Sequence, residues 1–135
     1  AKRPSHHRYL ARNFLLTKNE AAFLRVLTTV IGQQYLISCK VRLADIVTCT
    51  DRDWRLGYAN RISQKHVDFV ITHGESSRII AVIELDDRTH DRPERRKRDD
   101  FINLLFRRLG IRLIQVPACW RYSRQFVERS IEIMR

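Results

Sequence analysis

The segment 66–86, HVDFVITHGESSRIIAVIELD, decides the fold of this 135-residue chain. Two runs of apolar, β-forming residues, 66–73 and 78–86, are separated by the short Gly/Ser turn 74–77. This pattern predicts two antiparallel strands joined as a hairpin. Because both runs are apolar at most positions, and not only at alternate ones, we expect both faces of these strands to be covered.

The chain before the hairpin contains a helix signal and a further strand signal. Thr17 followed by Glu20 predicts a capping box, and the helix that it opens is expected to end at Gly32. Residues 35–41 are rich in β formers and predict a first strand. Residues 48–64 show little periodicity and are expected to form a long loop with irregular turns.

The chain after the hairpin returns to helix and strand patterns. Pro93 is suited to the first turn of a second helix, which is expected to stop at Gly110. Residues 111–116 predict another strand, and Ser123 is a suitable cap for a final helix. The resulting order predicts an α/β fold with an αβββαβ core, a mixed central sheet flanked by helices.

The composition is strongly basic: 26 Lys and Arg face 15 Asp and Glu, which gives a formal net charge of +11. A positive field of this size favours polyanions, and nucleic acid is the commonest such partner. Two alternatives stay open, an anionic membrane surface and a charge that serves only solubility. Residues 1–13 are basic and polar and predict a flexible arm, which leaves 14–135 as a single domain.

Three further features bear on the cellular setting. No apolar run approaches the roughly 20 residues of a membrane span, and no signal peptide is visible, so we expect a cytoplasmic protein. The chain starts at Ala1, so either it has lost only its Met or it is a piece of a longer chain, which a missing N-terminal segment would tether to a membrane. The cysteines, Cys39, Cys49 and Cys119, form no Cys-x-x-Cys pair, which argues against a zinc cluster or a disulfide framework.

Acidic residues stand out among the β formers in the middle of the chain. Asp68 interrupts the first strand of the hairpin, and Glu84 and Asp86 share one side of the second. Buried carboxylates are costly unless they are paired or bound to metal, and Mg²⁺ prefers one or two carboxylates with waters and a phosphate. The alternative is that these acids mark strand ends and pair with some of the many arginines.

The acids also carry a family resemblance. Asp68 followed by Glu84 in I-E-L-D resembles the D…(D/E)-x-K signature of the PD-(D/E)XK nuclease superfamily. The continuation ELDDRTH is similar to the E-x-D-x-x-x-H run of small bacterial domains related to very-short-patch-repair endonucleases, which include an uncharacterised domain-of-unknown-function group. That group is also similar in T-x-x-E at the first helix, in R-D at 98–99 and in the G-I-x-L-I strand at 110–114. The resemblance covers about residues 14–118.

The resemblance implies a restriction-endonuclease-like core with the active site at one edge of the central strands. Asp68 and Glu84 would bind Mg²⁺ or Mn²⁺, and the backbone carbonyl of Leu85 would be a third ligand. Glu20 matches the acid of the first helix that reaches the site in many members. The competing interpretation of Glu20 is that it serves only the capping box.

The chain departs from the family pattern at Asp86, where the usual lysine would stand. An aspartate supplies no positive charge to orient the attacking water, although it can bind metal. Candidate replacements are His90, then Lys65 and Lys97. His90 would act as a general acid or base near neutral pH; the alternative is an ordinary hydrogen-bonded loop histidine.

The run that follows the acids is basic and opens the second helix, whose N-terminus favours anions. We interpret it as a surface that holds phosphates, against the alternative of a solvated helix face. The predicted nucleic-acid contacts are Lys65, Arg88, Arg92, Arg95, Arg96, Lys97 and Arg98. Four aromatic residues have the chemistry to stack on bases but are expected mainly to pack in the domain: Trp54, Tyr58, Trp120 and Tyr122.

These features favour a metal-dependent nuclease that acts on nucleic acid, above all DNA, with Mg²⁺ or Mn²⁺ and no small-molecule cofactor. The alternative is a catalytically inactive nucleic-acid-binding module on a nuclease-like scaffold, which the absence of the usual lysine motivates. A weaker third interpretation is a basic domain that rests on a membrane or on a partner protein.

Overall fold

The computed structural model describes residues 8–86 and 93–132, apart from the side chains of 93–99. Within these ranges, helices and strands follow one another in the predicted order, with one additional short α-helix and two 3-10 helices, Leu43–Asp45 and Tyr58–Arg61, between the first and second strands. Their bounds are α1 Lys18–Val30, β1 Tyr35–Arg42, α2 Asp51–Arg55, β2 His66–His73, β3 Ile79–Asp86, α3 Pro93–Leu109, β4 Leu113–Pro117 and α4 Arg124–Ile131.

The four strands form one mixed sheet in the order β1-β2-β3-β4. β1 pairs antiparallel with β2, and β2 pairs antiparallel with β3, so the predicted hairpin is confirmed. β3 pairs parallel with β4, and α3 makes the crossover that a parallel connection requires. The predicted α/β class with a mixed central sheet is therefore confirmed.

Hydrophobic residues cover both faces of β2 and β3, as their nearly continuous apolar runs predict. On one face α1 and α4 pack against the sheet. The buried residues of this layer are Phe23, Leu27, Phe69, Ile71, Ala81, Ile83, Ile114, Val116, Tyr122, Val127 and Ile131. On the other face α3 and the segment before β2 contribute. The buried residues of this layer are Leu43, Val47, Ile62, Val67, Val70, Val82, Ile102 and Phe106.

Local signals fix where the helices begin and end. The Thr17 side chain accepts from the Glu20 backbone, the Glu20 side chain accepts from the Thr17 backbone, and this capping box starts α1. The Ser123 side chain accepts the Phe126 N–H at the start of α4. Gly110 follows α3 with a φ of 70°, a backbone conformation that residues with a side chain rarely adopt.

The segment 48–64 departs from its prediction because it contains a helix as well as turns. Thr50 accepts the Asp53 N–H and starts the five-residue α2. No residue of α2 is buried, so the helix carries no apolar stripe from which periodicity could predict it. No helix within the described ranges is long and apolar enough to cross a bilayer.

Candidate active site

At one end of the hairpin, the backbone pairing of β2 with β3 stops, and a side chain of β2 hydrogen-bonds to the backbone of β3 instead. The last paired residues are Phe69 and Ile83. One residue further along, Oδ2 of Asp68 accepts the N–H of Leu85 at 2.8 Å. The Asp68 carboxylate thus serves as the acceptor for a backbone donor of β3. Continuing the register by one residue places Asp68 across from Glu84, as the sequence predicts.

The backbone of Leu85 is directed towards the same point. At the next residue, the carbonyl of Asp86 accepts the N–H of Ala118 at 2.9 Å, on the β4 side of the strand. Successive residues of a strand direct their backbone groups to opposite neighbours, and the N–H and C=O of one residue point the same way. Since the Leu85 N–H reaches Asp68, the Leu85 carbonyl also projects towards β2, as the predicted ligand role requires.

Glu20 reaches this site from α1 and also completes the helix cap. Its Oε1 accepts the Thr17 N–H at 2.8 Å, and Lys40 Nζ lies 3.2 Å from its carboxylate oxygens. Glu20 is only 7% exposed. Burial alone raises the pKa of Glu20, but the Thr17 hydrogen bond and the Lys40 charge outweigh it, so this pKa lies below its ordinary value. The capping role and a place beside Asp68 are therefore compatible.

Asp68 has the opposite electrostatic environment. Loss of water on burial raises its pKa, and the neighbouring negative charge of Glu20 adds to that rise. The Leu85 N–H and the positive charge of Lys40 oppose the rise without cancelling it. A carboxylate in this position gains stability from a bound cation.

Lys40 is the residue of this site that the sequence interpretation missed. The β1–β2 pairs on either side place it across from Asp68, and it forms the ion pair with Glu20 described above. Its φ of 52° lies in the left-handed region, which is strained for a residue with a Cβ and often marks a functional site. The only local signal is that a lysine interrupts the apolar run 35–41, and a lysine in such a run is by itself typical of an edge strand.

Of the other predicted site residues, Lys65, Glu84 and Asp86 are described with their side chains, and the rest are not. Lys65 donates to the Arg61 carbonyl, and its Nζ lies 4.7 Å from the ring centroid of Phe101 in α3. Glu84 and Asp86 are half-buried at the end of β3. His90, Arg88 and Arg92 lie outside the described residues, as do the side chains of Arg95, Arg96, Lys97 and Arg98.

The donors at this end of the sheet suit a hard divalent cation with an incomplete protein shell. Among the described residues, no three His, Cys, Asp or Glu side chains form a complete metal cluster. Mg²⁺ typically retains several waters and takes one or two carboxylates together with substrate phosphate. Asp68, Glu84 and the Leu85 carbonyl are donors of that chemical type, and the electrostatic cost of the Asp68 charge favours a cation.

The prediction that the four aromatic residues mainly pack in the domain is correct for one and wrong for three. Tyr122 is 8% exposed and contacts the Phe23 ring edge-on, with 5.2 Å between the ring centroids. Trp54, Tyr58 and Trp120 are 48%, 61% and 82% exposed. Trp54 lies in the exposed helix α2, and Tyr58 and Trp120 lie outside the α-helices and strands. None of them belongs to an apolar periodic pattern, so the local sequence did not predict their exposure.

No curated protein and no solved structure shows a significant match to the chain. A family model does match, and it covers residues 12–134, which include both core layers and every described residue of the candidate site. The chain therefore belongs to the family described as DUF2726, a protein of unknown function.

Proposed function

We propose that this protein is a metal-dependent nuclease that hydrolyses phosphodiester bonds in nucleic acid, with DNA as the first expected substrate. The observation that carries the proposal is the Asp68–Leu85 hydrogen bond at the end of the β2–β3 ladder. It holds an acid of one strand beside Glu84 of the next, where Mg²⁺ or Mn²⁺ would find two carboxylates and a backbone carbonyl. We place the activity in the cytoplasm, where the free cysteines would stay reduced.

The bound cation would supply charge neutralisation at the phosphate and a water of lowered pKa. Asp68 and Glu84 orient the site by presenting carboxylates from two adjacent strands. Glu20 adds negative charge that disfavours the bare Asp68 carboxylate and therefore favours cation binding. The basic surface of the chain, with its net charge of +11, attracts the phosphate backbone.

Lys40 supplies the positive charge that Asp86 lacks. It stands across from Asp68 on the neighbouring strand and already contacts Glu20. A primary ammonium beside Asp68 offsets the negative charge that develops on a phosphate under attack. Its three N–H donors suit a phosphate oxygen or the attacking water. In this proposal Lys40 performs, from β1, the role that the lysine of the PD-(D/E)XK signature would perform from β3.

The direct test is a cleavage assay with supercoiled plasmid, linear duplex and single-stranded DNA, each with Mg²⁺ or Mn²⁺. Asp68→Asn and Glu84→Gln remove one charge each and are expected to abolish cutting. Glu75→Gln is the matched control, because it makes the same change in the exposed turn at the other end of the hairpin. Cutting that survives both site substitutions would contradict the site assignment.

A second function is favoured by one observation, the aspartate at position 86 where the resemblance requires lysine. In that case the chain is an inactive nucleic-acid-binding module on a nuclease-like scaffold. Binding should then persist in EDTA and in the Asp68→Asn variant, and its affinity should fall with salt at a log–log slope of about −0.9 per phosphate contacted. Salt-dependent binding without cutting under any metal condition would select this alternative, and absence of binding would contradict both.

A further inference from the structure

The loop between β4 and α4 holds a tryptophan out into solvent. Trp120 is 82% exposed, although it lies between the half-buried Cys119 and the buried Tyr122 two residues later. A tryptophan has a large apolar surface, and leaving it exposed forgoes a substantial gain from burial. This exposure requires an explanation from the surroundings of the loop.

The loop is fixed by hydrogen bonds instead of being held by the tryptophan itself. The Tyr122 hydroxyl accepts the Cys119 N–H at 2.8 Å and donates to the Pro117 carbonyl at 3.2 Å. The Tyr122 ring is anchored in turn against Phe23. Because these contacts set the backbone on both sides of Trp120, the indole is presented outward on an ordered support.

This support adjoins the candidate active site. The Ala118 N–H donates to the carbonyl of Asp86, and Trp120 follows only two residues later, a span of at most about 7 Å. The charge of Asp68 also acts on Tyr122, the residue that fixes the loop. Burial raises the pKa of the Tyr122 phenol, the Cys119 N–H opposes that rise, and the negative charge of Asp68 adds to it. Trp120 therefore lies beside the end of β3 that carries Glu84.

The charges around the indole suit a polyanion. Arg121 is exposed next to Trp120, and Arg124 is exposed at the start of α4, where it pairs with Glu128 at 3.0 Å. An exposed aromatic ring flanked by arginine is the arrangement that proteins use for single-stranded nucleic acid: the ring stacks on a base and the cation contacts the backbone.

We propose that Trp120 stacks on an unpaired base beside the end of the sheet where Asp68 and Glu84 lie, and that the substrate is single-stranded or locally unpaired nucleic acid. This inference rests on the proposed nucleic-acid function and names its substrate class. In an intact duplex the bases are stacked on one another, so an indole on a surface loop gains nothing from them. A base that is already unpaired stacks on the indole without that cost.

Fluorescence titration tests the stacking directly, because the chain contains only two tryptophans. Trp54→Phe leaves Trp120 as the single reporter. In EDTA, single-stranded oligo(dT) should quench this fluorescence. An oligonucleotide of equal length and charge in which every base is missing should bind through its phosphates without the same quenching.

Affinity measurements with the same two probes separate stacking from charge. Trp120→Ala should weaken binding to oligo(dT) by about 5- to 150-fold, the range for loss of one stacked base, and should leave binding to the abasic strand unchanged. Trp120→Phe should retain most of the affinity, and Trp54→Ala is the matched control for loss of an exposed indole. The melting temperature should not change, because Trp120 contributes little to the core.

The outcomes distinguish this inference from the function on which it rests. If Trp120→Ala binds oligo(dT) as tightly as the parent, and that binding is salt-dependent, the stacking proposal is wrong and nucleic-acid binding stands. Equal affinity of the parent for a long duplex and for oligo(dT) would also overturn the choice of substrate. If none of the probes binds, both proposals fall.

Discussion

Two carboxylates that meet at the candidate site, one from a helix and one from a strand, respond to burial in opposite ways. Glu20, at the start of α1, receives a backbone N–H and an ammonium, and its pKa falls. Asp68, within β2, receives one backbone N–H and faces Glu20, and its pKa rises. The difference teaches that burial alone does not set proton affinity, because the donors within reach decide its sign. Of these two acids, Asp68 is therefore the one that gains more from a nearby cation.

The largest expected effect comes from removing the negative charge of Asp68, which receives fewer hydrogen bonds than that of Glu20. Asp68→Asn keeps an oxygen that can accept the Leu85 N–H, so the unfolding free energy without metal should not fall at neutral pH. Cleavage should fall by at least about 10²-fold. Mg²⁺ at 100 times its dissociation constant should stabilise the parent by about 2.7 kcal/mol and the variant by much less. Denaturant titrations with and without Mg²⁺ measure this, and equal stabilisation of both proteins would remove Asp68 from the ligand set.

The next effect comes from removing Lys40, whose ammonium contacts Glu20 and whose positive charge opposes the rise in the pKa of Asp68. Lys40→Met leaves Glu20 buried without its ion-pair partner. Loss of one member of a fully buried pair costs about 3–5 kcal/mol, and because the Lys40 side chain is 30% exposed we expect a smaller loss of about 1–3 kcal/mol. Lys40→Arg keeps the charge and should recover most of the stability. A Met variant as stable as the parent in urea unfolding would show that the ion pair contributes nothing.

A smaller effect distinguishes the helix cap from the site. Thr17→Ala removes the acceptor for the Glu20 N–H and should cost about 1 kcal/mol. Ser123→Ala is the matched control, because it removes the equivalent cap of α4. Both variants should lose similar stability, but only Thr17→Ala should weaken Mg²⁺ binding, because loss of the Thr17 hydroxyl loosens the first turn of α1, which carries Glu20. Equal Mg²⁺ affinity in the two variants would separate the cap from the site.

The smallest expected effect is a pH dependence with opposite signs at the two acids. A raised pKa means that the contribution of Asp68 to stability is fully present below its ordinary value of 3.8 and is lost as pH rises through the raised pKa. The lowered pKa of Glu20 means that its contribution is present above 4.5 and disappears as pH falls through the lowered pKa. In EDTA, Asp68→Asn should therefore gain stability relative to the parent as pH rises from 3.5 to 7. A difference that stays constant over this range would contradict the assigned environment of Asp68.

The fold was predictable because its elements carry strong local signals. The apolar runs of β2 and β3, the capping box of Thr17 and Glu20, and the cap at Ser123 all appear in the structure where the sequence predicts them. α2 was not predictable from periodicity, because a surface helix that buries nothing has no apolar stripe. The cap at Thr50 was the available signal, and one cap by itself is weak.

The site was predictable only in part. Asp68 and Glu84 stand out because an acid within an apolar strand is costly without a specific reason. Lys40 did not stand out, because its importance depends on the register of β1 against β2 and on a helix twenty residues earlier in the chain. The exposure of Trp120 was likewise hidden, since it depends on the hydrogen bonds of a neighbouring tyrosine.

The sequence by itself determined the class of fold, the hairpin at its centre and the acids that interrupt that hairpin, because periodicity, caps and isolated charges act over short distances along the chain. Only the tertiary structure decided which charges meet. Strand register places Lys40 across from Asp68, helix packing brings Glu20 to both, and β4 carries Trp120 to the same end of the sheet. Electrostatic effects depend on distances in space, and no spacing along the chain reveals them.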